Sequence, residues 1–298
     1  MSTPRSIVSG GTGYVGRFIV EELLAAGHEV AVMGRRPPPR GFFSGPVSFI
    51  PLTLEPDAVS AASFAHADHF IHAAFDHVAG KYRGGEGDDP ATFRRRNLGG
   101  TIALFEAAKA AGVKRAVFLS SRAIYGPRTP GGLLYEEDIA RPDTLYGEIK
   151  LAAEKALEGL NGPGFKGVSL RVTGVYGPGG SERPHKWAGL FENYLRGNDI
   201  APRAGTEGPG RDVAAAARLV LEHEEPGGPV FNVADIVVDR HDILAVVQRC
   251  TGSLYAPPQP SDKNTVNAMD TGKLRALGWR AGGEELLEKT ILLLLENS

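Results

Sequence analysis

A glycine-rich turn close to the N-terminus is the feature that most limits how this chain can fold. Residues 10–16 read Gly-Gly-Thr-Gly-Tyr-Val-Gly and contain the spacing Gly-x-Gly-x-x-Gly. A short apolar segment precedes them at residues 6–8, and apolar residues at helical spacing follow at 17–26. A second apolar segment occupies residues 29–33. The order of strand, glycine turn, helix and strand predicts a βαβ unit at the start of a parallel sheet.

The rest of the chain continues this alternation of short apolar segments and helical patterns. The further apolar segments are residues 47–50, 69–74, 115–120, 167–172 and 230–233. Such an order predicts an α/β fold with a Rossmann-type, doubly wound parallel sheet. After residue 176 the chain becomes rich in glycine, proline and charge. We therefore expect a dinucleotide-binding domain of residues 1–175 plus about 212–235, and a smaller α/β substrate-binding domain of residues 176–211 and 236–298.

Composition narrows the class of partner and the compartment. The chain of 298 residues has 33 Lys and Arg against 35 Asp and Glu, a formal net charge of −2, which argues against nucleic acid or an anionic membrane as a partner. The apolar run 291–295 is far shorter than the ~20 residues that cross a bilayer. No room for a signal peptide precedes Gly10. Cys250 is the only cysteine, so no internal disulfide can form, and we expect a cytoplasmic protein.

The glycine turn also predicts a dinucleotide site. Glycine lets the backbone approach a pyrophosphate, and the N-terminus of the following helix points N–H groups at the phosphates. In NAD sites an acid at the end of the second strand bonds the ribose 2′-hydroxyl. Here that position holds Gly34, and Arg35 and Arg36 follow it. Two guanidinium groups suit a 2′-phosphate, so the sequence favours NADP(H). NAD(H) held through its phosphates, with both arginines solvated, stays open.

A second group of residues predicts redox chemistry. Tyr146 and Lys150 are four residues apart, so a helix places both on one face. An adjacent ammonium and an oxidised nicotinamide ring would lower the phenol's pKa from its ordinary ~10. The phenol could then exchange a proton with a substrate oxygen while hydride moves to or from nicotinamide. Ser120 and Ser121 end a predicted strand at the sheet edge where ligands bind, and one of them is expected to bond the reacting oxygen.

Together these features resemble extended short-chain dehydrogenases/reductases of the NAD-dependent epimerase/dehydratase family, which act on nucleotide sugars. The matching segments follow the family's order and cover nearly the whole chain. They are residues 10–16, 71–74, 97–101, 118–126, 146–150, 175–178, 231–233 and 270–279. The resemblance implies that Tyr146 is the acid/base, that Lys150 holds the nicotinamide ribose and tunes Tyr146, and that Ser121 is the catalytic serine. It also implies a homodimer.

Binding residues can be assigned from these arguments. Those expected to bind the cofactor are Gly10, Gly11, Thr12, Gly13, Tyr14, Val15, Gly16, Arg35, Arg36, Ala73, Ala74, Asn97, Ser120 and Lys150. Ser121 and Arg211 are expected to contact the substrate, the arginine through a diphosphate. Loop 127–144 is expected to form a wall of the substrate pocket. No metal site is expected, because strand alternation sends the histidines of residues 66–77 to different faces.

The chain departs from the family pattern at several positions. Gly34 replaces the strand-two acid, Thr53 the adenine-contacting Asp, and Gly174 the Asn that touches sugar-nucleotide phosphates, while the run beginning at Arg211 is shortened. The leading prediction is an NAD(P)-dependent nucleotide-sugar epimerase or oxidoreductase. The departures keep open an NADP(H)-dependent reductase or dehydrogenase of a carbonyl or sugar substrate without a nucleotide. An NADP(H)-binding redox-sensor module without turnover is the alternative outside enzymes.

Overall fold

The computed structural model describes residues 3–77, 85–180 and 184–296. Its strands, in chain order, are β1 (Arg5–Ser9), β2 (Glu29–Gly34), β3 (Ser48–Pro51), β4 (His69–His72), β5 (Arg115–Ser121), β6 (Lys166–Val172), β7 (Gly174–Tyr176), β8 (Ala204–Pro209), β9 (Val230–Val233) and β10 (Ile236–Asp239). Seven of them form one parallel sheet in the order β3-β2-β1-β4-β5-β6-β9. The predicted Rossmann-type parallel sheet is confirmed.

Helices cover both faces of this sheet. In chain order, all helices of the described residues are α1 (Tyr14–Ala25), α2 (Pro90–Arg94), α3 (Gly100–Ala110), α4 (Leu145–Gly159), α5 (Ala188–Leu195), α6 (Gly210–Glu222), α7 (Arg240–Thr251), α8 (Gly272–Ala276) and α9 (Gly283–Glu296), and α1, α3, α4 and α6 are among those that cover the central sheet. A π-helical turn, Arg95–Gly99, joins α2 to α3. Short 3₁₀ turns occupy Pro56–Ala58, Ala61–Phe64, Arg122–Tyr125 and Lys263–Thr265.

The two faces of the central sheet bury different side chains. Ile7 and Val8 are neighbours in β1 and both are fully buried, yet they belong to separate hydrophobic clusters. Val8 packs in the cluster that contains α1 and α6, and Ile7 in the one that contains α3 and α4. Successive side chains of a strand point to opposite faces, so a sheet covered on both sides needs strands that are apolar throughout.

A smaller sheet of order β10-β8-β7 lies beside the central one. β8 pairs parallel to β7 and antiparallel to β10. The helices α5, α7 and α9 form a separate core around Phe191, Ile243 and Ile291. β9 pairs with β6 at the edge of the central sheet. The limits of the two domains stay a prediction. Among the described residues, no helix combines the length and apolar character needed to cross a bilayer.

Candidate active site

A cavity of about 930 Å³ opens at the carboxyl edge of the central sheet. It extends from Gly34 at the end of β2 to Val175 in β7, and the ends of β4, β5 and β6 lie between them. Its wall includes most of the predicted site residues, namely Gly10, Thr12, Gly13, Tyr14, Val15, Gly16, Arg35, Ala73, Ala74, Ser120, Ser121, Tyr146 and Lys150. This is the edge at which open parallel sheets bind ligands, and the volume suits a small-molecule site.

The glycine turn forms a tight backbone cradle at one side of the cavity. Gly10 has φ +72°, and a Cβ there would lie 2.7 Å from the backbone N of Ala74. A Cβ on Gly16 would overlap the carbonyl oxygen of Gly10, which accepts a hydrogen bond of 2.8 Å from the N–H of Gly13. Gly13 caps α1 and has no side chain that could occupy the first-turn N–H groups. Such a cradle fits the pyrophosphate of a dinucleotide.

Gly11 serves packing rather than the cavity wall. A Cβ there would lie 2.9 Å from Cγ1 of Val32 and 3.0 Å from Cγ2 of Val20. The residue is buried and lies outside the cavity lining. Its glycine therefore lets α1 approach β2 closely, so only part of the motif faces a ligand.

The arginines that follow β2 are placed differently from each other. Arg35 lines the cavity, its side chain is 81% exposed, and its Nη1 is 3.7 Å from Oδ1 of Asp76. Arg36 is exposed and outside the lining. Thr53 lines the cavity close to Gly34. The structure thus brings one of the two predicted arginines, and not both, to the adenosine end expected of a dinucleotide.

A further arginine, which the sequence did not single out, lies on the same wall. Arg96 donates from Nε to Oε1 of Glu55 at 2.6 Å and from Nη1 to Oδ2 of Asp76 at 3.2 Å. Glu55 also pairs with Arg95, and these two arginines lower the pKa of its carboxyl group. The run of three arginines at 94–96 was the available signal. Its meaning depended on a π-helical turn that the sequence did not reveal.

Asn97 lies beneath the cavity rather than in its wall. It is 1% exposed. Its Oδ1 accepts from the N–H of Asp76 at 2.7 Å, and its Nδ2 donates to the carbonyls of Asp76 at 2.7 Å and Phe93 at 3.0 Å. The amide therefore fixes the backbone that follows Ala73 and Ala74. Asn97 does not line the cavity, so it is not placed to contact a cofactor there.

The helix start of α4 positions Tyr146 and Lys150. The Thr144 hydroxyl accepts from the N–H of Gly147 at 3.1 Å and caps the helix, so that both side chains reach the cavity from its first two turns. Burial raises the pKa of the Tyr146 phenol, and a hydrogen bond with Ser121 opposes that rise. Among the groups that the structure describes, the pKa of this phenol is therefore raised rather than lowered as expected.

Lys150 is almost fully buried beneath Tyr146, at 4% exposure. Its Nζ donates to the Leu119 carbonyl at 2.6 Å. Burial lowers the pKa of the ammonium to about 7, and the carboxylate of Glu154 opposes this effect. The amine therefore titrates in the neutral range, and its Nζ lies 5.7 Å from the ring centre of Tyr146.

The two serines of β5 have different partners. Ser120 donates to the carboxylate of Glu154, whereas Ser121 hydrogen-bonds with Tyr146. Glu154 also accepts from Nη2 of Arg171 at 2.9 Å, and both side chains are buried. Ser120 thus lies in the floor of the site, with the buried Glu154, whereas Ser121 lies beside the Tyr146 hydroxyl. The sequence missed Glu154 and Arg171, although Glu154 follows Lys150 by one helical turn.

Loop 127–144 does not form the expected wall, since none of its residues is among those lining the described cavity. Leu134 instead forms a parallel bridge with Met269, and the Glu136 carbonyl accepts from Nη1 of Arg171 at 2.9 Å. The loop therefore connects the floor of the site to a C-terminal segment.

Arg211, which was predicted to contact the substrate, lies outside the cavity, and the space beside Gly174 is filled by an ion pair. The Arg211 side chain is 69% exposed, and its Nε is 3.4 Å from Oδ1 of Asp212. It does not belong to the cavity lining. A Cβ on Gly174 would lie 2.5 Å from Nζ of Lys186 and 2.6 Å from Oε2 of Glu207. This ion pair occupies the space that a larger residue at position 174 would need. In the described part of the chain, no group of three or more His, Cys, Asp or Glu could hold a metal.

The parallel sheet, the glycine cradle and the Ser121, Tyr146 and Lys150 side chains on one cavity define a dinucleotide-dependent enzyme of the extended short-chain dehydrogenase/reductase class. The model of the NAD dependent epimerase/dehydratase family matches residues 6–234, and the chain belongs to this family. The family and the enzyme class predicted from the sequence are confirmed.

Individual relatives agree with this assignment. The UDP-glucose 4-epimerase of Lacticaseibacillus casei is 28% identical over 321 aligned residues, which cover 94% of this chain and 92% of the relative. A 3-beta-hydroxysteroid dehydrogenase of Mycolicibacterium neoaurum is 30% identical over 79% of this chain and 65% of its own length. The solved structure of MoeE5 in complex with UDP-glucose and NAD superimposes with a TM-score of 0.80 at 26% identity, covering 98% of this chain and 99% of that one.

Proposed function

We propose that this enzyme oxidises and reduces a carbon of a nucleotide sugar, with Tyr146 as acid/base, and that epimerisation is the net reaction. The observation that carries the proposal is the convergence of Ser121, Tyr146 and Lys150 on the cavity that also contains the glycine cradle. The similarity to a UDP-glucose 4-epimerase and to a structure holding UDP-glucose and NAD supports the substrate class.

Each residue has a distinct task in this reaction. The glycine cradle of residues 10–16 would hold a nicotinamide dinucleotide, which would supply a hydride acceptor for a carbinol and a hydride donor for the resulting ketone; return of hydride to the opposite face would invert the carbon. Tyr146 takes the hydroxyl proton during oxidation and returns it during reduction. Ser121 bonds the same oxygen and keeps it beside the phenol. Lys150 carries the positive charge that favours the phenolate.

Substitution of Tyr146 by Phe tests the acid/base role. Loss of a positioned acid/base group lowers rates by roughly 10²- to 10⁴-fold, so kcat should fall by at least two orders of magnitude. The dissociation constant for the cofactor, measured by fluorescence titration, should remain within about twofold. Tyr135→Phe is the control, because Tyr135 is an exposed tyrosine outside the cavity. Full activity of the Tyr146 variant contradicts the proposal.

A second candidate is a reductase or dehydrogenase whose substrate has no nucleotide. Two observations favour it: the Lys186–Glu207 pair fills the space beside Gly174, and one relative is by name a 3-beta-hydroxysteroid dehydrogenase. A thermal-shift panel of UDP-, GDP- and dTDP-sugars separates the two, because a ligand that binds the native state alone raises its melting temperature. A shift with one nucleotide class supports the epimerase. Shifts with none of them, together with turnover of a steroid or simple ketose, support the second candidate.

For the cofactor we propose a preference for NADP(H), with Arg35 as the ligand of the 2′-phosphate. Gly34 supplies no carboxylate for a ribose hydroxyl, and Arg35 is the cavity-lining residue next to it. Arg35→Ala should weaken NADP⁺ binding about tenfold to a hundredfold, the effect of losing a charged hydrogen bond, and leave NAD⁺ binding unchanged. Arg36→Ala is the matched control and should change neither. Equal affinities of the Arg35 variant and the native enzyme for NADP⁺ contradict this preference.

A further inference from the structure

The side chain of Phe75, in the loop after β4, packs against Tyr146 and Lys150 of helix α4. Its ring centre is 4.7 Å from Nζ of Lys150. The same ring packs edge-on against the ring of Tyr146, with 5.0 Å between the centroids. A second ring, that of Phe118 in β5, has its centre 4.6 Å from Nζ. Together with the ring of Tyr146, whose centre is 5.7 Å from Nζ, three aromatic rings therefore contact one buried ammonium.

This ammonium has little other compensation for leaving water. Its hydrogen bond to the Leu119 carbonyl uses one of three N–H donors. Among the residues that the structure describes, the titratable and charged groups around it are Tyr146 and Glu154 of α4, His72 of β4, and Arg171 of β6, which is bonded to Glu154. His72 is held neutral, because burial lowers its pKa to about 3. Glu154 is thus the anion of this group, and Arg171 already engages it.

We infer that Phe75 and Phe118 form an aromatic box that stabilises the protonated form of Lys150 against the effect of burial and fixes it beneath Tyr146, and that Phe75 is a positioning residue for the reaction. The negative faces of aromatic rings attract cations, and the attraction is strongest where water is excluded. The inference rests on the proposed function, in which Lys150 acts as a cation.

Asn97 fixes the backbone next to Phe75 in the aromatic box. Its side chain bonds both the N–H and the carbonyl of Asp76, the residue after Phe75. The π-helical turn Arg95–Gly99 presents Asn97 toward that backbone, and π-helical turns recur at functional sites. Asn97 therefore acts on Lys150 through the position of Phe75.

The test measures the protonation of Lys150 directly in the full chain. A trace amount of acetic anhydride reacts with the neutral amine, and mass spectrometry of the Lys150 peptide across pH gives the midpoint. In Phe75→Leu the midpoint should move to lower pH by about one unit, the shift for losing one desolvated cation–π contact. Phe75→Tyr keeps the ring and should keep the midpoint. The alkaline limb of kcat/KM should move by the same amount in the Leu variant.

Phe93→Leu is the packing control. Its ring is 5.5 Å from that of Phe75 and is buried, and it makes none of the three ring contacts to Lys150. An unchanged midpoint in Phe75→Leu overturns the inference, and so does an equal shift in Phe93→Leu. Phe75→Met replaces the Leu variant should the latter not fold. Acetylation does not depend on turnover, so a fully active Tyr146→Phe variant would remove the proposed function and leave this measurement readable.

Discussion

The buried ion pair between Arg171 and Glu154 lies directly under the catalytic residues, and its loss should be severe. The two side chains are 7% and 4% exposed, and Arg171 makes three N···O contacts of 2.9 to 3.2 Å with the Glu154 carboxylate. Nη1 of Arg171 also bonds the Tyr125 hydroxyl at 3.0 Å. Glu154→Gln preserves the shape of the side chain but leaves a buried guanidinium without its counter-charge.

The magnitude follows from the burial. Removing one partner of a buried pair costs about 3–5 kcal/mol of unfolding free energy. An unfolding entropy of about 2.1 cal/mol/K per residue gives roughly 0.6 kcal/mol/K for this chain. The melting temperature should therefore fall by about 5–8 °C. Arg171→Met should cost a similar amount. The double variant should lose less than the sum of the two, because neither charge is then left unpaired.

Calorimetry on the two single variants, the double variant and the native enzyme measures this coupling. The exposed pair Arg249–Glu288 is the control, with side chains 60% and 55% exposed. Glu288→Gln should change the melting temperature by no more than about 2 °C, since exposed pairs contribute ~0–1 kcal/mol. A Glu154→Gln variant that melts within 1 °C of the native enzyme, or fully additive losses, would refute the reasoning.

Two further predictions concern the cradle and the strand beside it. Gly10→Ala and Gly27→Ala both place a side chain at positive φ, but only at Gly10 would the new Cβ meet backbone atoms. Fluorescence titration should therefore show cofactor affinity falling at least tenfold for Gly10→Ala and staying unchanged for Gly27→Ala. His72 has a folded-state pKa of about 3 against an ordinary 6.5, so the unfolded chain binds the extra proton and stability is lost as pH falls from about 6.5 to 3. Between pH 7 and 5 this loss is about 2 kcal/mol, and urea unfolding of His72→Gln should show a pH dependence weaker by that amount; equal slopes would contradict it.

Local patterns allowed the sequence to predict the part of the site that lies within single elements. The glycine turn follows from residues 10–16 alone, and Tyr146 and Lys150 share a helix face because they are four residues apart. The choice between Ser120 and Ser121 as the catalytic serine depends on which residues of other segments each side chain contacts. Both partners lie on α4, where Ser120 meets Glu154 and Ser121, the last residue of β5, meets Tyr146.

Contacts between distant segments were not predictable in this way. β8 reads Ala-Gly-Thr-Glu-Gly-Pro, which has no alternating apolar pattern, and it exists as a strand because β7 and β10 pair with it. Arg96 and Phe75 reach the cavity only after the loop following β4 and the π-helical turn are in place. Arg171 lies in an apolar strand, and its role became visible only with its partner Glu154.

One residue, Thr173, separates β6 of the central sheet from β7 of the smaller sheet. Its hydroxyl donates to the Thr206 carbonyl at 2.7 Å, so the junction is also hydrogen-bonded to β8 of the smaller sheet. Arg171 lies two residues before Thr173 in the chain, so a displacement of the smaller sheet would reach β6 close to the buried Arg171–Glu154 pair.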